Sequence, residues 1–378
     1  MGDSDAKMKI RDSRYELMRI AAMLMIMASH CVKFTLGSDY EFLYSEASFN
    51  YAVAFIVIML GNVGTYLFIL LTCKFSLGKV RFKASRVIKL LWQTVTTCIL
   101  CLIIAYVFHL RPISIRLIVR ELLTPFDSQY WFITAMLIFV LILPALQLVD
   151  SKLDDGKIKV LCLVLILARP VRALLFSSLA GDLGDFVACY FVVSYLKRRP
   201  ENWFKKHDKM GLTLYAGLIT ILLLARYLLP SRLLGVSMFG EEGGLFQTVI
   251  KRLRQRTVFQ LFCAICLFYA MEALRIKPSK WINFAAKFTL GVYLWHYNYV
   301  FRDIVWTDVF NAEYVYTSTN LYLLLVLIGP VLVYAAFSAA EYLRSRVLDD
   351  WLYPKLSWMQ KLEAFIDRHY DWKIIEAT

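Results

Sequence analysis

No polar stretch of this 378-residue chain is long enough to fold as a soluble catalytic domain, and no repeat of fixed period or low-complexity tract breaks it up. Charge is scarce: Asp, Glu, Lys and Arg make up 19% of the residues, against roughly a quarter in soluble domains. Acid is scarcer than base, 29 Asp and Glu against 43 Lys and Arg, for a formal net charge of +14. In a soluble chain that excess would point to nucleic acid; its distribution here points elsewhere, and no nucleic-acid partner is expected. The eight cysteines supply no disulfide framework, because all lie inside or at the edge of apolar runs. The pairs Cys98/Cys101 and Cys263/Cys266 have CxxC spacing, but on helices without a neighbouring His or Asp cluster, so they read as small packing residues and no metal site is expected. The first apolar segment is too long for a signal peptide and lacks a small-residue cleavage site, so it is expected to stay as an anchor.

What is abundant is hydrophobicity, 59% of residues with a mean hydropathy of +0.57. It is arranged in ten runs, roughly 15–36, 49–72, 86–109, 130–149, 159–178, 183–196, 211–230, 258–274, 282–301 and 319–343. Runs of about 18–25 residues suit bilayer-spanning helices, because a spanning helix satisfies its own backbone. The fold expected is an all-α polytopic membrane protein of about ten transmembrane helices. With the N-terminus inside, the inner segments hold 29 Lys and Arg and the outer segments 9. That is the positive-inside bias, and it puts both termini in the cytoplasm of a plasma-membrane protein. The loop Lys197–Lys209 is its strongest instance, and the outer run Lys251–Arg256 is the exception. The chain divides into a cytoplasmic segment 1–14, a membrane domain 15–346 and a tail 347–378. The tail mixes Trp351, Trp358, Phe365 and Trp372 with charges, as an amphipathic segment on a membrane surface does.

Arg19 and His30 share one apolar helix, with no polar residue from Ile20 to Ala28. Eleven residues make about three turns, so both side chains point the same way, roughly 16 Å apart along the axis. A charged side chain at such depth costs about 2.5–3.5 kcal/mol, which makes an ionisable group there a site candidate. Neutral imidazole is tolerated better, and it is the form a general base needs. The alternative is a histidine packed in the bundle core. Arg14, Glu16 and Arg19 cluster at the inner end, with Lys79, Arg81, Lys83, Arg86 and Lys89 after the second run. Arg19 and Arg86 lie where apolar sequence begins, and arginines there suit a nucleotide or coenzyme phosphate; Lys79 and Lys89 read as topology-setting charge. Glu16 can orient Arg19 at i, i+3.

Other candidates stay two-sided. His296 near the end of the ninth run is interfacial or functional. Arg169 and Arg172, flanking Pro170, pair with acids such as Asp182 or Asp185 or bind an acceptor. Trp131 belongs to an aromatic belt or is a platform for stacking sugar. His109, His207 and His369 read as solvated.

Taken in order, these residues resemble the acyltransferase-3 family of integral membrane O-acyltransferases, with about ten transmembrane helices and an Arg-x10-His motif on the first. Arg19 and His30 match that spacing, preceded by Arg14-x-Glu16-Leu-x-Arg19. Lys83-x-x-Arg86 stands where the family often has Arg-x-x-Arg. Tyr130-Trp-Phe resembles its aromatic segment, and Gly291-Val-Tyr-Leu-Trp-His296 its Gly-x-Tyr-Leu-x-His segment. The chain departs at Leu71-Thr72-Cys73-Lys74, where Ser-Gly is common, and no fused esterase-like domain is expected after the membrane region.

The resemblance implies transfer of an acetyl group from cytoplasmic acetyl-CoA, as co-substrate, to a hydroxyl of an envelope polysaccharide or lipid-linked sugar. Arg14, Arg19, Lys83 and Arg86 would hold coenzyme phosphates. His30 would act as general base or transient acyl carrier, with Trp131, Arg169, Arg172 and His296 on the acceptor side. Two competing classes remain: a transporter or flippase using Arg169-Pro170-Val171-Arg172 as a broken-helix site, and a non-catalytic membrane subunit with a structural His30.

Overall fold

A computed structural model describes residues 11–35, 49–78, 84–124, 129–169, 178–228, 257–311, 314–315 and 321–369. Among them every regular element is helical. The helices that build the site are α1 (Ser13–Thr35), α2 (Phe49–Ser76), α3 (Ala84–Val107), α4 (Ile115–Leu122), α5 (Trp131–Lys152), α6 (Asp155–Leu167), α7 (Ser178–Lys197) and α8 (Asp208–Leu228). They continue as α9 (Val258–Glu272), α10 (Lys280–Ala286), α11 (Thr289–His296), α12 (Tyr322–Arg344) and α13 (Ser357–His369). Each apolar run contains helix among its described residues.

Among the described residues, five helical stretches are long and apolar enough to cross a bilayer: Ser13–Phe34, Ala52–Ser76, Ser85–Val107, Trp131–Lys152 and Tyr322–Lys355. That is the mark of a multi-pass membrane protein. α9 is apolar but shorter. α7 is diluted by the buried carboxylates of Asp182 and Asp185. The ninth run departs from the expected single helix and folds as the two short helices α10 and α11. Thr289 donates its hydroxyl to the Ala286 carbonyl, and Tyr334 of α12 donates to the Ala285 carbonyl. Those two hydroxyls satisfy carbonyls that the break frees, which is what lets a helix be interrupted inside apolar surroundings.

α2 is the central helix, with 78% of its apolar window buried against 28% for α12. It packs closest on α1, and the reason is glycine. A Cβ on Gly64 would stand 2.7 Å from the Ala22 carbonyl oxygen, and one on Gly61 would overlap the Ser29 side chain. Small residues at a helix crossing let backbones approach where no hydrophobic effect drives association. The obstacle at Gly64 is backbone, so it cannot rotate away. Gly64→Val is expected to destabilise the bundle by about 1–3 kcal/mol, the usual penalty of overpacking. Thermal unfolding of the purified variant in detergent measures it, and an unchanged midpoint would contradict the close crossing.

The bundle ends sort by chemistry. The start of α1 and the ends of α2 and α9 meet at one face, where Lys74 bridges to Glu272 at 2.7 Å and Arg14 Nη1 donates to the Glu272 carbonyl at 2.8 Å. The opposite face gathers the end of α1, the start of α5 and the segment after α11. There Arg111 bridges to Asp303 at 3.0 Å. At the C-terminal end, α13 presents Trp358, Leu362 and Phe365, all exposed, at helical spacing on one face.

Candidate active site

Two cavities of similar size open at the two ends of the bundle, about 690 Å³ at the basic face and about 680 Å³ at the opposite one. On α1, Met23, Ile26, His30, Lys33 and Phe34 line the second cavity, recurring every three or four residues as one helix face. Arg19 falls on the same face, one turn below Met23. Arg14 does not: sixteen residues from His30, it points to the other flank and lines the basic cavity instead. The guanidinium of Arg19 lies 5.0 Å over the ring of Phe75, which also lines the basic cavity. Arg19 therefore stands between the two cavities, held by Glu16, which accepts from its Nη1 with both oxygens at 2.8 Å.

The basic cavity collects four cations, Arg14, Lys74, Lys197 and Lys205, and one lining carboxylate, Glu272, among the described residues. Glu272 accepts from Lys74 and from the Tyr15 hydroxyl. Arg14 is engaged by Asp12, with Nη2 and Oδ2 2.7 Å apart. That guanidinium holds the Asp12 carboxyl below the usual carboxylate range, so the pair persists at neutral pH and is lost on acidification. Lys205 reaches Glu201 at 3.0 Å, both largely in the open. With Arg14, Lys74 and Lys205 each beside an acid, Lys197 leaves the described lining net positive, which suits an anion such as a phosphate.

The cavity at the opposite face is aromatic and polar. Trp131, the first residue of α5, lines it with Tyr297, Asn62, Thr65 and the Arg302–Asp303 pair. His30 is half-buried with its open side on the cavity. Its ring stacks on Tyr297 at 4.5 Å between centroids, and its Nδ1 lies 3.0 Å from Nε2 of His296. His296 is fully buried, does not line the cavity, and places its own Nδ1 2.7 Å from the Val292 carbonyl oxygen.

Neighbouring elements hold the end of α11 in place. Tyr130 donates its hydroxyl to the Leu294 carbonyl, and Gln129 donates to the Tyr297 carbonyl. Trp295 donates to Glu341 Oε2 at 3.1 Å. Glu341 is itself gripped by Gln93 and Arg344, and Arg344 also reaches Asp349. The Glu341 carboxyl packs on Gly291 where a Cβ would stand. One polar network thus fixes α11 against α3 and α12.

The structure distributes the sequence-derived candidates unevenly. It brings His30 and Trp131 to one cavity, with His296 buried behind His30, and Arg14 to the other, with Arg19 between. Arg86 is exposed on the first turn of α3 and lines neither cavity. Lys83, Arg172, Pro170 and the run Lys251–Arg256 lie outside the described residues. Arg169 is drawn into the bundle by Asp185 at 3.1 Å and the Tyr66 hydroxyl at 2.9 Å, away from the cavity lining.

Sequence reasoning missed Asn62 and Thr65, although two polar residues at i, i+3 in an apolar helix were a signal. It also assigned Lys197 and Lys205 to membrane topology alone, a role that leaves no trace of the cavity between α7 and α9. His296 offered two readings from the sequence, because no local pattern indicates that residues 266 positions apart form a pair.

Residues 12–339 match the model of a family described as an acyltransferase domain. No curated protein and no solved structure matches the chain.

Proposed function

The chain belongs to the acyltransferase-3 family, and from that premise we propose that it is a membrane O-acetyltransferase, moving acetyl from acetyl-CoA to a hydroxyl of an envelope glycan, either a polysaccharide or a lipid-linked sugar. The observation that carries this reading is the pairing of a basic cavity at one end of the bundle with an aromatic cavity holding His30 at the other. The chain crosses the plasma membrane ten times with both termini and the basic cavity on the cytoplasmic side, as its Lys and Arg distribution favours.

Arg14, Lys74, Lys197 and Lys205 bind the phosphates of the donor, and Arg19 marks the passage inward. Arg86, exposed on the first turn of α3, adds to the cytoplasmic positive charge, and Lys83 is kept as a donor-binding candidate from its sequence position alone. Trp131 stacks on the acceptor sugar, and Asn62 and Thr65 offer it hydrogen bonds. His30 takes the hydroxyl proton as the acceptor oxygen bonds to the thioester carbonyl carbon. The carbon–sulfur bond then breaks, and the thiolate recovers the proton from His30, so that free CoA leaves. In the covalent variant His30 carries the acetyl group itself before the acceptor arrives. The transporter reading loses support, because Arg169 is engaged by Asp185 and Tyr66 rather than presented to a solute path.

Purified protein in nanodiscs is expected to release CoA from acetyl-CoA only when an acceptor glycan is present. The variant Lys197→Ala/Lys205→Ala is expected to raise the KM for acetyl-CoA about tenfold, equivalent to about 1.4 kcal/mol, with little change in kcat. The effect shrinks as salt rises, because both side chains meet solvent. A KM identical to wild type would move the donor away from the basic cavity.

A further inference from the structure

We infer that His296 is a positioning residue that sets the tautomer of His30 and so selects Nε2 as its reactive nitrogen. The inference rests on the acyltransferase reading for its chemical meaning, but its structural content stands apart from it. A carbonyl oxygen can only accept. The 2.7 Å contact between His296 Nδ1 and the Val292 carbonyl therefore puts a proton on Nδ1 of His296. A neutral imidazole carries one N–H, so its Nε2 is a bare acceptor. That acceptor lies 3.0 Å from His30 Nδ1, which must be the donor. The one proton of neutral His30 is then spent on His296, and its Nε2 keeps a free lone pair.

The cavity says where that lone pair goes. His30 lines the cavity and His296 does not, and the Nδ1 edge of His30 is turned into the bundle towards His296. Nε2 is the nitrogen left for a ligand. Whether His30 acts as base or as acyl carrier, it needs an unprotonated nitrogen facing the substrate, and the backbone carbonyl of Val292 secures it through two rings. When Nε2 takes a proton, Nδ1–H still points at the His296 lone pair, so the imidazolium keeps its hydrogen bond.

A carboxylate is the more familiar orienter in such a position. A second imidazole does the same with no formal charge, which suits a site inside a bilayer. The remaining neighbours support the geometry rather than compete for it: Tyr297 and Phe34 meet His30 through their rings, at 4.5 and 5.7 Å between centroids. Trp295, Tyr130 and Gln129 act one step further out by holding the α11 terminus.

The test is nitrogen NMR of ¹⁵N-histidine-labelled full-length protein in nanodiscs, with His30→Ala assigning the His30 signals. Wild type is expected to show His30 neutral with the proton on Nδ1. A proton on Nε2 in the wild type overturns the inference, and this measurement needs neither substrate nor turnover. His296→Phe, of similar bulk and unable to accept, is expected to release His30 to the opposite tautomer and lower kcat ten- to a hundredfold at unchanged KM for acetyl-CoA. His296→Gln retains an acceptor and is expected to recover part of that loss. A Phe variant with wild-type kcat and an unchanged tautomer overturns the inference while leaving the acyltransferase reading intact. A wild type with the expected tautomer that never consumes acetyl-CoA overturns the acyltransferase reading instead.

Discussion

His30→Ala is expected to reduce acceptor-dependent CoA release by about a thousandfold or more, within or beyond the range of about 10²–10⁴ typical of a lost general base. Acetyl-CoA binding should survive, because the cations of the basic cavity are on other faces and other helices, Arg14 on the far flank of α1, Lys74 and Lys197 on α2 and α7, and Lys205 on the short helix Trp203–Lys206 that follows. Among the other groups on the described lining, Asn62 and Thr65 do not take protons at neutral pH, and Asp303 is engaged by Arg302 and Arg111. The informative pair of measurements is equilibrium binding of acetyl-CoA and single-turnover CoA release on the same preparation. Binding with no release places His30 in the chemistry. Full activity in the variant would keep the enzyme, leave His30 as packing and remove it from the chemistry.

The second large effect is on stability, at the network that holds α11. The Arg344 side chain is 1% exposed and that of Glu341 3%. Arg344→Met removes the cation and leaves a carboxylate buried among apolar helices. Breaking a buried pair on one side costs about 3–5 kcal/mol. The lower end is expected here, because Gln93 and Trp295 still donate to Glu341. Neutralising the survivor as well, in Arg344→Met/Glu341→Gln, should recover much of the loss, since a buried charge pair contributes little over a neutral replacement. Unfolding midpoints in detergent, followed by tryptophan fluorescence, read both variants. A single variant as stable as wild type would show that the Gln93 and Trp295 donors alone satisfy Glu341.

The architecture was legible to the extent that hydropathy encodes it. The described residues are helical wherever a regular element forms, and five of the helical stretches are long and apolar enough to span a bilayer. The i, i+11 spacing of Arg19 and His30 put both on one face, as the cavity lining bears out for His30. Spacing along one helix could not reveal that Arg14, despite its nearness in sequence, belongs to a different cavity, because that depends on which neighbour each flank meets. The break at Lys287–Phe288 was illegible for a related reason. No proline or glycine marks it, and what makes it tolerable is a hydroxyl on α12, some 46 residues further on. His296 and Glu341 were hidden in the same way, by partners distant in sequence.

That break bears on how the protein meets membranes of different thickness. A helix that runs unbroken through a bilayer tilts or shifts when the hydrocarbon layer thins or thickens. α11 has only eight residues and is tied at its start to α12 through Thr289 and Tyr334, and at its end to α3, α5 and α12 through its carbonyls and the Trp295–Glu341 network. Its height is set by the bundle and not by lipid. The ring that orients His30 thus keeps its level as the surrounding lipid varies, insulated from the mechanical state of the membrane around it.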